Sequence, residues 1–306
     1  MRWRGRRQSS NIEDKRGMRA PRMARLGAGG GGIVRLLPLV FRVLGFKGTL
    51  VAVALVVGYG YFSGDLNRFL GGGGFETSQT GSGSQPVKQS AAEKQLVEFV
   101  STILADTEDT WNELFKQTGN SYQEPRLVLF RQAVSTACGT GSAQIGPFYC
   151  PADQKVYIDL SFYDELENRH GAPGDFAQAY VLAHEVGHHV QTVSGISQQV
   201  HKAKKVLSSV KANRLSVKQE LQADCYAGIW AHHARRSRQI LEAGDIEEGL
   251  AAASAIGDDR LQKQAQGYVT PDSFTHGSSE QRVAWFKTGL SKGTLEACDT
   301  FAAGTL

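Results

Sequence analysis

Three stretches of this 306-residue chain carry residue types that do chemistry, at spacings a fold can use. The first is His184-Glu185-Val186-Gly187-His188, inside the longer run VLAHEVGHHVQ. Residues four apart lie on one face of an α-helix, so both imidazoles can reach one zinc ion. Glu185 is one residue round from His184, beside the metal without being a ligand. From there it can take a proton from a water activated by zinc and later pass it to a leaving amine. Small Ala183 and Gly187 leave room for close packing around this helix.

Hydrolysis of this kind needs a third protein ligand and an open position on the metal. No third histidine follows at short range, since His188 is succeeded by His189, Val190 and Gln191. The second stretch supplies a candidate. In Gln219-Glu220-Leu221-Gln222-Ala223-Asp224, Glu220 stands 32 residues after His188 as the expected third ligand. Asp224, one helical turn later, is placed to accept a hydrogen bond from a ligating histidine and fix its tautomer. Taken alone, such a pair of acids is an ordinary solvated helix face. The third stretch runs from Ser273 to Arg282. There His276 is a candidate donor to an oxyanion, and Arg282 a candidate to support it or to hold a substrate carboxylate or carbonyl. The plain alternative is a histidine at a Ser-capped helix start, with a surface arginine. His189 points about 100° away from His188 and cannot share its metal. His232 and His233 end a helix beside Arg235 and Arg236, where positive charge offsets the helix dipole. His170 and His201 read as surface residues.

These residues need elements to hold them. Leu96, Val97, Val100, Ile103 and Leu104 recur at helical spacing, followed by Trp111, Leu114 and Phe115, so a long amphipathic helix opens the folded domain near Ala91. Arg126–Val134 and Lys155–Leu160 read as strands, the second either an edge to which an extended peptide can pair or, equally, an ordinary core strand. The helix bearing His184 starts at Gly174–Asp175, with Asp175 as N-cap, and ends at Gly195. Further helices are expected over Ser216–His233, Ile246–Ile256 and Ser278–Leu290. The fold class is therefore α+β, a small sheet followed by a helical body.

Charge is unevenly distributed. Residues 1–47 hold twelve Lys or Arg against Glu13 and Asp14, a net of +10, which leaves −6 on the rest of a chain whose total is +4. A basic tail on a mildly acidic body argues against a nucleic-acid-binding domain. The stretch from Gly48 to Gly64 has no charge and, at 17 residues, reaches the lower limit of a membrane span. The expected organisation is a basic cytoplasmic tail over 1–47, a single transmembrane helix over 48–64, a Gly/Ser-rich linker over 65–90 and the domain over 91–306. A cleaved signal peptide is the alternative, but no small-residue cleavage site follows the apolar run. Cys138, Cys150, Cys225 and Cys298 all lie beyond that run, and none shows CxxC spacing, so structural disulfides are expected. Of the three pairings, Cys138–Cys150 with Cys225–Cys298 is favoured on proximity alone.

The segments GPFYCPADQKVYIDLSFYDEL, YVLAHEVGHHVQ, ELQADCYAGIWAHH, AIGDDRLQ and PDSFTHGSSEQRVAWF, in this order, resemble the neutral zinc metallopeptidase family of bacteria, over about residues 90–300. The pattern HExxH, then Glu-x-x-x-Asp, then a histidine followed six residues on by arginine is similar to that of the wider gluzincins. His184, Glu185, His188, Glu220, Asp224, His276 and Arg282 match it. Gly277 departs from it, since the prenyl-protein and heat-shock membrane endopeptidases have proline there and several spans. The resemblance implies a zincin-like fold and one zinc per chain. Together, residues and resemblance give the expectation of a single-pass protein of the bacterial inner membrane. Its N-terminus would be cytoplasmic, its domain periplasmic or extracellular, and its substrates peptides or proteins. The competing reading is a non-catalytic envelope interaction or assembly protein with a structural zinc. Structural zinc sites are usually closed by four Cys or His ligands, whereas this chain offers three ligands and an intact Glu185.

Overall fold

A computed structural model describes residues 1–18, 89–143 and 146–302. The described part is α+β, as the sequence predicts. Four strands form one sheet: β1 (Ile12–Asp14), β2 (Arg126–Phe130), β5 (Phe148–Cys150) and β6 (Lys155–Asp159), in the order β1-β2-β6-β5. The first three in that order run parallel, and β5 is antiparallel to β6. A separate hairpin pairs β3 (Ala133–Thr136) with β4 (Gly139–Ser142). Strand periodicity divides the two faces. Leu127, Leu129, Val156 and Ile158 join the main core, while Val128, Phe130 and Tyr157 pack with Val134 and Cys150 on the other side.

Eight α-helices are found among the described residues: α1 (Ala91–Gln117), α2 (Ser161–Asn168), α3 (Asp175–Val193), α4 (Ile196–Lys204), α5 (Ser209–Arg236), α6 (Asp245–Ala255), α7 (Asp258–Gln266) and α8 (Ser279–Lys292). Helix α1 starts where Ser90 accepts a hydrogen bond from the Glu93 amide, and its apolar stripe, Phe99 to Leu114, enters the core. Helix α8 starts with a full capping box between Ser278 and Gln281. Helix α3 is almost wholly buried and packs against α1, α5 and α6.

Several boundaries differ from those expected. The predicted strand Arg126–Val134 breaks at Gln132, whose φ of 64° turns the chain into the β3–β4 hairpin. The strand at 155–159 is interior, between β2 and β5, so the free edge beside the helices belongs to β5. Gly174, with φ 111°, takes the cap position of α3, and Asp175 is instead its first residue. The carboxylate of Asp175 lies 3.2 Å from the Met1 amine, which also meets Asp245 at 3.4 Å.

The largest difference is at the N-terminus. Composition marks residues 1–47 as a solvated tail, yet the first eighteen are part of the folded unit. Ile12, Glu13 and Asp14 align with Leu127, Val128 and Leu129. Trp3 is buried edge-on against Phe99, with ring centroids 5.4 Å apart. The basic side chains find acids on the domain: Arg16 meets Asp14 at 2.6 Å and Glu93 at 2.9 Å, and Arg7 meets Glu108 at 3.0 Å. The expected span at 48–64 and most of the linker lie outside the described residues. Among the described helices, none is long and apolar enough to cross a membrane.

Candidate metal centre and cleft

Helices α3 and α5 build the site by lying very close together. A Cβ on Gly187 would stand 3.0 Å from the Ala223 carbonyl oxygen and 3.1 Å from the Ala223 Cα, so the glycine inside the His-x-x-x-His spacing sets the distance between the helices. Across this contact, His184 and His188 of α3 face Glu220 of α5. The Glu220 Oε2 lies 3.2 Å from His184 Nε2 and 3.4 Å from His188 Nε2. Two ligands of a tetrahedral zinc, each about 2.0–2.1 Å from it, are about 3.3 Å apart. The three donor atoms lie within 4.8 Å of one another, and the two distances to Glu220 match that requirement. The donor set therefore fits a zinc ion.

The outer nitrogens are held in turn. His184 Nδ1 is 2.8 Å from Asp224 Oδ1, which leaves Nε2 for a metal. Asp224 is fully buried and is itself fixed by Arg282, whose Nε and Nη2 donate to it at 2.8 and 2.9 Å, and by the Tyr180 hydroxyl. His188 Nδ1 is 2.9 Å from Gln191 Oε1, and the Gln191 amide donates to the Gln219 carbonyl at 2.7 Å and to Gln222 Oε1 at 3.1 Å. Sequence reasoning missed Gln191 and Tyr180. Each lies on the His face of α3, three residues after His188 and four before His184, which is the only signal the sequence offers for them.

Burial alone would push the imidazole of His184 down, but the charge of Asp224 outweighs it and holds the pKa above the ordinary histidine value. Burial would likewise raise Asp224, yet Arg282 and His184 keep it below the usual carboxylate range. Glu220 is held well below that range against its own burial, first by His188 and then by His184. Zinc held by His184, His188 and Glu220 would need both imidazoles neutral and the carboxylate ionised, so its affinity would fall at low pH.

Glu185 is 9% exposed, opens on the same cleft and forms no ion pair among the described residues, so its carboxylate is available. His276 also lines the cleft. Its backbone amide donates to Asp258 at 2.6 Å, and its Nδ1 lies 3.2 Å from the same carboxylate. That bond outweighs partial burial and raises its pKa. Asp258, at the start of α7, also accepts from the Thr275 and Gly277 amides and so shapes the whole His276 turn. Sequence reasoning did not single it out. Arg282 has a different place from the one expected. It borders the same cleft but is 2% exposed, with its guanidinium committed to Asp224, Tyr180 and the Ile256 carbonyl. It reaches Asp224 because α5 and α8 cross at two glycines, Gly228 and Gly289, with backbone against backbone.

The cleft has a volume of about 530 Å³, with Phe148 and Tyr149 of β5 on one side and Phe162, Ile256 and Leu261 among its apolar lining. His189, on the far face of α3, is fully buried between the Tyr149 hydroxyl and the Gln123 carbonyl. His232 and His233 lie against the Leu290 and Gly293 carbonyls at the end of α8. Disulfides join Cys138 to Cys150 and Cys225 to Cys298. The second fastens the C-terminal segment to α5, one residue beyond Asp224.

Two histidines and a carboxylate converge on one point, with an uncommitted glutamate beside them in the cleft, a donor set that could hold a metal ion. The family described as "Putative neutral zinc metallopeptidase" matches residues 1–301, and the chain belongs to it. The match includes the N-terminal segment that completes the sheet. Uncharacterized protein YpfJ of Escherichia coli K12 is 48% identical over 302 residues, covering 98% of this chain and 99% of that protein. Uncharacterized protein Rv2575 of Mycobacterium tuberculosis is 39% identical over 218 residues, covering 68% of this chain and 73% of that protein. No solved structure matches.

Proposed function

We propose that the chain is a zinc-dependent endopeptidase of the gluzincin type, with one zinc per chain held by His184, His188 and Glu220. The observation that carries this reading is the three-donor set at zinc-ligand separations, with Glu185 unpaired beside it in the cleft. Zinc held there supplies Lewis acidity, lowering the pKa of water and polarising a carbonyl. Glu185 takes the proton from the attacking water and delivers it to the leaving amine. His276, oriented by Asp258, donates to the oxygen that becomes negative at the tetrahedral stage. A substrate strand pairs with the free edge of β5, and Phe162, Ile256 and Leu261 receive an apolar side chain. The two disulfides favour an oxidising compartment, periplasmic or extracellular, for the domain. Residues 1–18 belong on the same side.

The ligand assignment is tested by metal analysis of the purified chain. Zinc near one per chain is expected in the native protein, with stoichiometric binding lost in His188→Ala and Glu220→Ala. Full zinc retention by both variants would show that the ion, if bound, is held elsewhere.

A further inference from the structure

Between Glu185 and Glu220 the sequence has no Asp or Glu, but it has Lys202, Lys204, Lys205, Lys211, Arg214 and Lys218. The fold places these six cations on one helical hairpin, α4 and the first turns of α5. At its tip stand two aliphatic residues, Val206, 86% exposed, and Leu207, 36% exposed. The tip is held in shape. Lys204 Nζ donates to Ser216 Oγ at 2.6 Å, and Gln219 Nε2 to Ser197 Oγ at 3.3 Å, tying one helix to the other. A second segment reaches the same end of the molecule. The 3-10 turn Pro271–Ser273 packs on the start of α5, where Asn213 donates to the Asp272 carbonyl at 3.0 Å. Tyr268 and Val269, which lead into that turn, are also exposed. Of the large apolar side chains exposed among the described residues, all but Met18 belong to these two segments.

We propose that this end of the molecule docks on an anionic lipid surface, with Val206 and Leu207 entering the headgroup layer and the lysines meeting lipid phosphates. A single exposed valine needs no explanation. Two aliphatics projecting from the turn of a hairpin with six cations and no acid of its own, where Arg214 meets a neighbouring carboxylate, that of Asp272 at 3.5 Å, are different. An acidic protein or polymer would reward the lysines but would leave the protruding aliphatics without a pocket. A bilayer interface rewards both, because apolar groups partition into it while cations gain from its negative surface potential. Tyr268 suits the same boundary, where amphipathic rings are favoured.

The docking has a consequence for substrate choice, and this step alone rests on the peptidase reading above. Ser209, next to the tip, and Glu220 of the metal site are eleven residues apart on one helix, no more than about 16 Å. An extended chain covers that distance in about five residues. The substrates within reach are then segments of membrane-bound proteins lying just outside the bilayer.

The test uses the full chain with its disulfides intact and an environment-sensitive fluorophore on Ser208→Cys. A control label goes on Ala243→Cys, exposed near the opposite end of α3. Vesicles of phosphatidylcholine alone are compared with vesicles rich in phosphatidylglycerol. The expected result is a blue shift at position 208 and none at 243, with partitioning at least about tenfold tighter on the anionic vesicles. High salt should reverse it, and so should the combined change Lys202→Glu, Lys205→Glu and Lys211→Glu, with zinc content unchanged. No shift on either vesicle would overturn the proposal. An equal shift on both would remove the role given to the lysines. A shift with soluble polyglutamate but not with vesicles would assign the surface to an acidic macromolecule instead. None of these readings uses turnover, so a failure of the peptidase reading would show separately.

Discussion

Asp224 has two duties that are separable by substitution. It orients His184, and it neutralises Arg282, which is 2% exposed. Asp224→Asn keeps the shape but loses the charge. Zinc affinity should fall by about 10–100-fold, the usual effect of removing a hydrogen-bond partner behind a ligand. Stability should fall by about 3–5 kcal/mol, because a buried guanidinium is left without its counter-ion. Competition with a zinc chelator and denaturant unfolding measure the two. The bond to Asp258 raises His276 relative to an unfolded histidine, so its charged form is favoured in the fold. This contribution is complete below about pH 6.5 and is lost as pH rises through the raised value. An NMR titration should place the midpoint of His276 above that of a free histidine, and Asp258→Asn should return it toward the free value. At this scale the sequence was informative wherever chemistry follows from local spacing. His184, Glu185 and His188 are legible because a helix has a fixed period, and Glu220 and Asp224 because they repeat it one turn apart. Gln191, Tyr180 and Asp258 are ordinary residues until tertiary contact gives them partners, and the commitment of Arg282 to Asp224 and Tyr180 is likewise a tertiary fact.

Between elements, the decisive dimension is the separation of α3 and α5. Gly187→Ala places a methyl 3.0 Å from a carbonyl oxygen of α5, so one helix has to shift by a few tenths of an ångström. We expect a loss of about 1–3 kcal/mol in stability, as for overpacking elsewhere. A weaker zinc site should accompany it, since Glu220 and the histidines sit on opposite sides of that contact. Thermal melting with and without zinc separates the two effects. Long elements with strong periods, such as α1, α3 and α5, were readable in outline. The short helices α2, α4 and α7 were not, because eight or nine residues carry too little pattern. Whether the strand at 155–159 is an edge or a core strand was open in the sequence, and the sheet order makes it interior. Strand order is a long-range property, and β5 has only three residues to announce itself.

In the described fold, the first eighteen residues complete the sheet and the core. Trp3 fills a place against Phe99, so Trp3→Ala should cost about 3–5 kcal/mol by denaturant titration, a value foreign to a solvated tail. The sequence hid this because charge dominates the first eighteen residues, and charge reads as solvent unless the acids that meet it are known. Glu93 and Glu108 lie far along the chain from Arg16 and Arg7, so only the fold shows the pairing.

The central claim is that Glu185 acts on a substrate peptide bond at a zinc held by its neighbours. Its most direct test compares the native chain with Glu185→Gln, each loaded with zinc, on a quenched peptide library rich in apolar residues. Equal zinc content is expected, with chelator-sensitive cleavage by the native chain that is reduced about 10²–10⁴-fold in the variant. Equal cleavage by both, or zinc in both with no cleavage by either, would contradict it.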